Sequence, residues 1–395
     1  MRVFRFAFAL AGAVIGAHVL MTGPARAQSG GNLDELSRQV DQLYQAGKYA
    51  EGIIVGERYV ALVKSQFGED LRYAKAISSL GAMYRETGRH KEAEAAQTRA
   101  LAIRETALGR EHLDVAQSCN NLALVYDDQA RYADAEALYK RALEIREKLL
   151  GAADPLVASS LNNLATLYLY ALARYRDAEP LLKRAVEIRE KTVGPQHAQF
   201  ATSLNNLAAL YRAQGHYKDA EPLYKRALAI RETALAPEHP HIAISLTNLG
   251  GFYRMTGRYG EAEPFLKRAL ALYEKISGHE ESIALAHSGL ATLYSSQARY
   301  RDAEQLYVRA LAIVEKAYGA DHPTVGGALN SLAVLYREQG RFSEAEPMLK
   351  RALAIVEKVV GPDHPDVATK LNSLASLHGS QGRYAEAEPM LKRAL

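Results

Sequence analysis

Apolar residues recur along most of this chain at the three- and four-residue spacing of an amphipathic helix, and the pattern itself repeats. Between residues 204 and 228, Leu204, Leu207, Ala208 and Tyr211 mark one apolar face. Gly215 then interrupts it, and Ala220, Leu223, Ala227 and Leu228 resume it. Two helices joined by a tight glycine-centred turn are predicted from that spacing. The tyrosine that ends the first helix recurs as Tyr84, Tyr126, Tyr168, Tyr211, Tyr253, Tyr294 and Tyr336, with His378 in the last copy. Successive intervals are 42, 42, 43, 42, 41, 42 and 42 residues. A fixed period of that size predicts stacked helix pairs sharing one elongated core, so the length prior of two or three globular domains does not apply.

Each column of the repeat has a physical reason. Small residues at Ala93, Ala135, Ala178, Ala220, Ala262, Ala303, Ala345 and Ala387 let the second helix approach the first. A further alanine column follows seven residues later, two turns along the same face. Leu122, Leu164, Leu207, Leu249, Leu290, Leu332 and Leu374 bury the first helix, and tyrosines such as Tyr132 and Tyr175 are expected to fill the turn. Gly88, Gly215, Gly257, Gly340 and Gly382 permit the left-handed backbone that ends a helix. Between copies, Gly361-Pro362-Asp363-His364-Pro365 stops one helix and opens the next. Residues 28–73 read as a linker and a degenerate capping pair, with Gly52 and Tyr59 where later copies place alanine, and 74–395 as the regular array, ending mid-helix. Pro180, Pro222, Pro264, Pro347 and Pro389 sit just inside second helices without an evident reason.

These residues carry a resemblance. The pattern Leu-Asn-Asn-Leu-Ala-x-x-Tyr-x-x-x-Gly-x-Tyr-x-x-Ala-Glu-Pro-Leu-x-Lys-Arg-Ala-Leu, followed by Gly-Pro-x-His-Pro, resembles the 42-residue tetratricopeptide (TPR) repeat of kinesin light chains and their bacterial relatives. The resemblance covers residues 74–395 strongly and 32–73 weakly. It implies an all-α, right-handed superhelical solenoid of about nine helix pairs, first helices lining the concave side. It further implies a non-enzymatic scaffold that binds an extended peptide or protein partner.

Residues 1–27 have the three parts of a secretory signal peptide: Arg2 and Arg5, an apolar run from Phe6 to Met21, and Ala25-Arg26-Ala27 before a cleavage site at Gln28. A periplasmic or secreted location follows as an expectation, with no membrane span after cleavage. The leader also changes the charge picture. It holds Arg2, Arg5 and Arg26, so the 49 basic residues fall to 46 against 45 acidic, and the net +4 gives no argument for nucleic acid.

Candidate chemistry is sparse. Cys119, the single cysteine, shares its column with Leu161 and Leu204 and reads as a small core residue; His287 sits there too. His112, His197, His239, His322 and His364 recur once per repeat, too far apart for one coordination shell. No catalytic, metal-binding or cofactor-binding residue is expected. The Lys-Arg pairs at 140–141, 183–184 and later copies follow a glutamate four residues before each lysine, which makes them a solvated face and not a nucleic-acid stripe.

The binding groove is expected along Asn120, Asn162, Asn205, Asn330 and Asn372, whose amides suit an extended backbone. The adjacent asparagines, Asn121, Asn163, Asn206 and Asn248, are assigned to inter-helix bonding. Two turns on, Arg212, Arg254 and Arg337 share the face, and an acidic ligand segment near Arg212 and Arg254 is expected. The 43-residue step adds an apolar turn at Leu169–Ala173, a candidate contact, while the 41-residue step falls at 278–282. The alternative reading is the sensor half of a larger effector enzyme whose catalytic domain lies beyond Leu395.

Overall fold

The computed structural model describes residues 27–276 and 280–394, with side chains from residue 32 onward. The leader up to Arg26 therefore lies outside the described residues, as do Gly278 and His279 of the altered turn at 278–282. Among the described residues, eighteen α-helices follow one another as nine antiparallel pairs, the TPR solenoid expected from the repeat. In order they are α1 (Ala27–Gln45), α2 (Tyr49–Phe67), α3 (Leu71–Glu86), α4 (His90–Leu108), α5 (Leu113–Asp128), α6 (Tyr132–Leu150), α7 (Pro155–Thr166), α8 (Tyr175–Thr192) and α9 (Ala198–Ala213). Then come α10 (Tyr217–Ala234), α11 (Pro240–Met255), α12 (Tyr259–Lys275), α13 (Glu280–Ser296), α14 (Tyr300–Tyr318), α15 (Pro323–Glu338), α16 (Phe342–Val360), α17 (Pro365–Ser380) and α18 (Tyr384–Ala394). Two compact units divide within α10, one running to Leu223 and the other starting at Tyr224.

Local chemistry sets the ends of these helices. Asp70 and Asp154 cap α3 and α7 with carboxylate oxygens. The recurrent histidines do the same work at α5, α9, α11, α15 and α17, each accepting a backbone N–H at its side chain. Pro155, Pro240, Pro323 and Pro365 occupy the first helical position, where no N–H is needed. Within each pair, Gly88, Gly215, Gly257, Gly340 and Gly382 adopt φ between 72° and 81°. The same left-handed turn is imposed on Ala130, Ala173 and Ala298, at φ 60°, 51° and 59°.

The alanine columns are buried up to α18, where Ala394 is half-buried, as close helix approach requires. Gly52 and Gly250 go one step further. A Cβ at Gly250 would lie 2.7 Å from Leu266 Cγ, and one at Gly52 would lie 2.6 Å from Met83 Sδ. In the first pair, therefore, a methionine fills the space that alanine occupies later. The tyrosines opening the second helices are half exposed or exposed and do not fill the turn; Tyr217, Tyr300 and Tyr384 are the most open. The helical prolines are placed inside α8, α10, α12, α16 and α18, and nothing in the structure explains them.

The extra residue of the 43-residue step does not make an exposed apolar turn. It is wound into a π-helical segment, Leu167–Ala171, in which Leu172 N–H donates to the Leu167 carbonyl at 3.2 Å. Leu167, Tyr168 and Leu169 are buried. The reason is visible at the turn's end. In other repeats an arginine N–H closes the turn onto the tyrosine carbonyl at 2.8 Å, as Arg131 does on Tyr126. Arg174 makes the same 2.8 Å bond to Tyr168 across one more residue, so the wider winding preserves the junction.

Candidate functional site

The first asparagine column departs from expectation, while Asn121, Asn163 and Asn206 of the adjacent column make the inter-helix bonds assigned to them. Asn120, Asn162 and Asn205 are 7%, 5% and 0% exposed, which removes them from any ligand-accessible surface. Asn120 and Asn162 form the receiving side of an inter-repeat ladder. Asn163 Nδ2 donates to Asn120 Oδ1 at 2.6 Å, and Asn206 Nδ2 to Asn162 Oδ1 at 3.2 Å. Asn121 Nδ2 makes the equivalent bond to Ser78 Oγ at 3.2 Å. Asn162 also donates to Ser203 Oγ and the Ala158 carbonyl, both at 2.9 Å. The amide of Asn205 has no hydrogen-bond partner among the described residues.

On α5 and α7 a half-exposed stripe lies one residue further on, whereas Asn206 and Asn248, its counterparts on α9 and α11, are buried. On α5 it carries Gln117 and Asn121, on α7 Ser159 and Asn163. Gln117 Nε2 donates to Asn121 Oδ1 at 2.8 Å. In the second unit Asn330 is half buried and Asn372 exposed. Arg212, Arg254 and Arg337 are each half buried.

At the start of the arginine column the charge is locally compensated. Arg85, at the same position, pairs with Glu86 and lies 3.7 Å from Asp128 of the next first helix. Burial opposes its charge, but these carboxylates outweigh burial and hold it protonated. In the second unit, Ser295 Oγ donates to Glu338 at 2.7 Å. Arg254 and Glu338 act in opposite senses on the buried Tyr307 phenol, which burial pushes up.

A layer of arginines, half-buried at Arg104 and buried at Arg146, Arg189 and Arg231, links successive pairs and was not expected from the sequence. Arg104, Arg146, Arg189 and Arg231 each reach from a second helix to the next first helix, donating to Ser118 (2.6 Å), Ser160 (2.8 Å), Ser203 (3.3 Å) and Ser245 (2.8 Å). Each also donates to a backbone carbonyl of that helix's first turn. Burial pushes Arg189 and Arg231 down to about 10. Arg146 Nη2 donates to Gln117 at 2.9 Å and Arg189 Nη2 to Ser159 at 3.0 Å, so two stripe residues are tied to buried cations. A signal existed: where the arginine becomes Tyr273 or Val314, the serine becomes Ala286 or Ala328.

The outer glutamates pair with lysines four residues on, as with Glu136 and Lys140 at 2.6 Å. They are also junction hubs. Tyr168 Oη donates to Glu136 Oε1 at 2.8 Å and Arg174 Nη1 to Glu136 Oε2 at 2.9 Å, with the Arg174 guanidinium 4.2 Å over the Tyr168 ring. The same clamp joins Glu263 with Tyr294 and Arg299, and Glu304 with Tyr336 and Arg341.

Cys119 is fully buried and its thiol is pushed up by that burial. His287 is buried, which pushes its ring down, and its Nε2 lies 3.5 Å from Glu274. Among the described residues, no group of three or more His, Cys, Asp or Glu could hold a metal ion, and no helix is long and apolar enough to cross a membrane.

Among the described residues, nine antiparallel helix pairs joined by tight left-handed turns define a tetratricopeptide repeat solenoid. The chain belongs to the tetratricopeptide repeat family, whose profile matches residues 36–106, 72–148, 114–191, 156–233, 199–275, 282–358 and 324–395. Among solved structures, a Rap protein complexed with Competence and Sporulation Factor is similar at 17% identity and TM-score 0.58, covering 94% of this chain and 97% of that one. Aspartyl phosphate phosphatase F from Bacillus subtilis is similar at 15% identity and TM-score 0.53, covering 96% and 95%. A putative kinesin light chain with nearly identical TPR-like repeats from Podosopora anserina shares 28% identity over 51% of this chain and 94% of its own, with TM-score 0.43. A comparison with curated proteins finds no match.

Proposed function

We propose that this protein is an exported, non-catalytic scaffold that holds an extended segment of a protein partner against the half-exposed polar stripe of α5 and α7. The stripe carried by Gln117, Asn121, Ser159 and Asn163 is the observation behind this reading. A primary amide has two donors and two acceptor lone pairs, and the bonds from Asn121 and Asn163 to the scaffold use only part of that capacity. The remainder suits the alternating N–H and C=O groups of an extended chain. The neighbouring Rap protein, complexed with Competence and Sporulation Factor, supports this use of the fold. Arg212 in the first unit, and Arg254, Arg337 and the exposed Asn372 in the second, are the further candidate contacts, each arginine suited to an acidic side chain of the partner.

The test is selection of a displayed random-peptide library on the purified chain, followed by titration of the recovered peptides. Asn163→Arg places bulk and charge on the stripe and should weaken binding by at least about tenfold with the helical content unchanged. Arg212→Glu and Arg254→Glu, made separately, should weaken acidic peptides selectively. Binding untouched by Asn163→Arg would overturn the placement on the stripe. Periplasmic fractionation of the full-length chain tests export.

A further inference from the structure

The helix cap at His239 sits on a turn gripped by an arginine, as does the cap at His197, where Arg189 donates to the Gln199 carbonyl at 2.7 Å. His239 Nδ1 accepts the His241 backbone N–H at 3.1 Å, so the ring that caps α11 is neutral, with its proton on Nε2. Protonation would turn that acceptor into a donor pointed at the positive end of a helix dipole. From α10, Arg231 donates to the His241 carbonyl at 3.0 Å and to Ser245 Oγ at 2.8 Å, so a buried cation grips the turn that His239 caps. Burial, and then the Arg231 charge, push the His239 ring down. On α11 itself the His241 ring stands edge-on to it, 4.8 Å between centroids. From α12, the buried Tyr273 phenol faces Arg231, and Lys275 lies 3.5 Å from Glu238, the carboxylate next to His239 in sequence.

Two further caps have an acid beside the ring: the carboxylates of Asp114 and Asp366 lie 3.9 and 3.8 Å from Nδ1 of His112 and His364. The cap of α7 is Asp154, whose carboxylate accepts the Leu156 N–H at 2.7 Å, while Arg146 donates to the Leu156 carbonyl at 3.3 Å. The chain thus contains the same arginine-gripped turn with an acid in place of the histidine.

We propose that His239 and Arg231 form a proton-sensitive latch, in which protonation of His239 releases the first turn of α11 and loosens its packing on α10. The sign follows from linkage. A ring whose folded pKa lies below its unfolded value of about 6.5 stabilises fully above that value, and the contribution is lost as pH falls through the folded pKa. The latch is therefore closed at neutral pH and opens in mildly acidic solution.

The experiment is amide hydrogen exchange on the full chain between pH 7.5 and 5.5, corrected for intrinsic rates and read at the backbone amides of Ile242, Ala243 and Ile244. His239→Asp copies the Asp154 cap, and His239→Asn supplies a cap that does not titrate. In the wild type, protection there should fall by about tenfold for each pH unit by which the folded pKa is lowered. Both variants should hold their protection over the same range. Wild-type protection that does not change with pH, or an equal fall in either variant, would overturn the proposal.

Discussion

The Arg146 guanidinium donates to the Ser160 hydroxyl at 2.8 Å across the α6–α7 interface, and it is buried there. Its other acceptors are the Leu156 carbonyl and the Gln117 amide oxygen, all of them neutral. Arg146→Ala should cost about 2–4 kcal/mol, since it empties a buried volume and strands three acceptors. The double change Arg146→Val with Ser160→Ala copies the Val314 and Ala328 pair of this same chain and should lie within about 1 kcal/mol of wild type. Urea unfolding midpoints of the three proteins decide the matter; a double variant as weak as Arg146→Ala would contradict it.

Ala130 and Ala298 hold φ of 60° and 59° where other repeats place glycine. A side chain in that region is strained by about 1 kcal/mol, partly offset by the greater freedom of glycine in the unfolded chain. Ala130→Gly and Ala298→Gly should each stabilise by a few tenths of a kcal/mol, read as a higher thermal midpoint. A lower midpoint for both would refute the strain argument.

Glu136 and Lys140 form one ion pair, yet their side chains are 17% and 56% exposed. Lys140→Ala should therefore change stability by less than about 0.5 kcal/mol. Glu136→Ala also strips acceptors from Tyr168 and Arg174 and should cost about 1–3 kcal/mol. Burial raises the Glu136 carboxyl, but hydrogen bonds from Lys140 and Tyr168 outweigh it and hold the group below the usual range. Its contribution is present above pH ~4.5 and lost as pH falls through the lowered folded value. The stability difference between wild type and Glu136→Gln should accordingly shrink on acidification.

Asn162 ties α7 to α9 through Ser203 and Asn206. Asn162→Ala should cost about 1–3 kcal/mol by leaving those groups without their partner, with peptide affinity unchanged. A variant of wild-type stability that loses peptide binding would return Asn162 to the ligand face.

Much of this architecture was legible in the residues alone. A 42-residue period, alanines two turns apart and glycines at the turns specify helix pairs because each is a local demand: close approach, reversed φ, an apolar stripe. The arginine layer was legible too, through the joint replacement of Arg231 and Ser245 by Tyr273 and Ala286 in the next repeat, although no single copy shows it. Other features required tertiary structure. Adjacent positions on a helix are 100° apart, so a small rotation of the helix against its neighbours decides which of Asn162 and Asn163 is buried. Composition cannot supply that rotation, because both are asparagine. Packing likewise decided that the inserted residue near Leu169 would widen a helix, since the tyrosine–arginine junction beside it resists change. Sequence determined the repeating unit and its local breaks; packing between repeats decided which faces remain open to a partner.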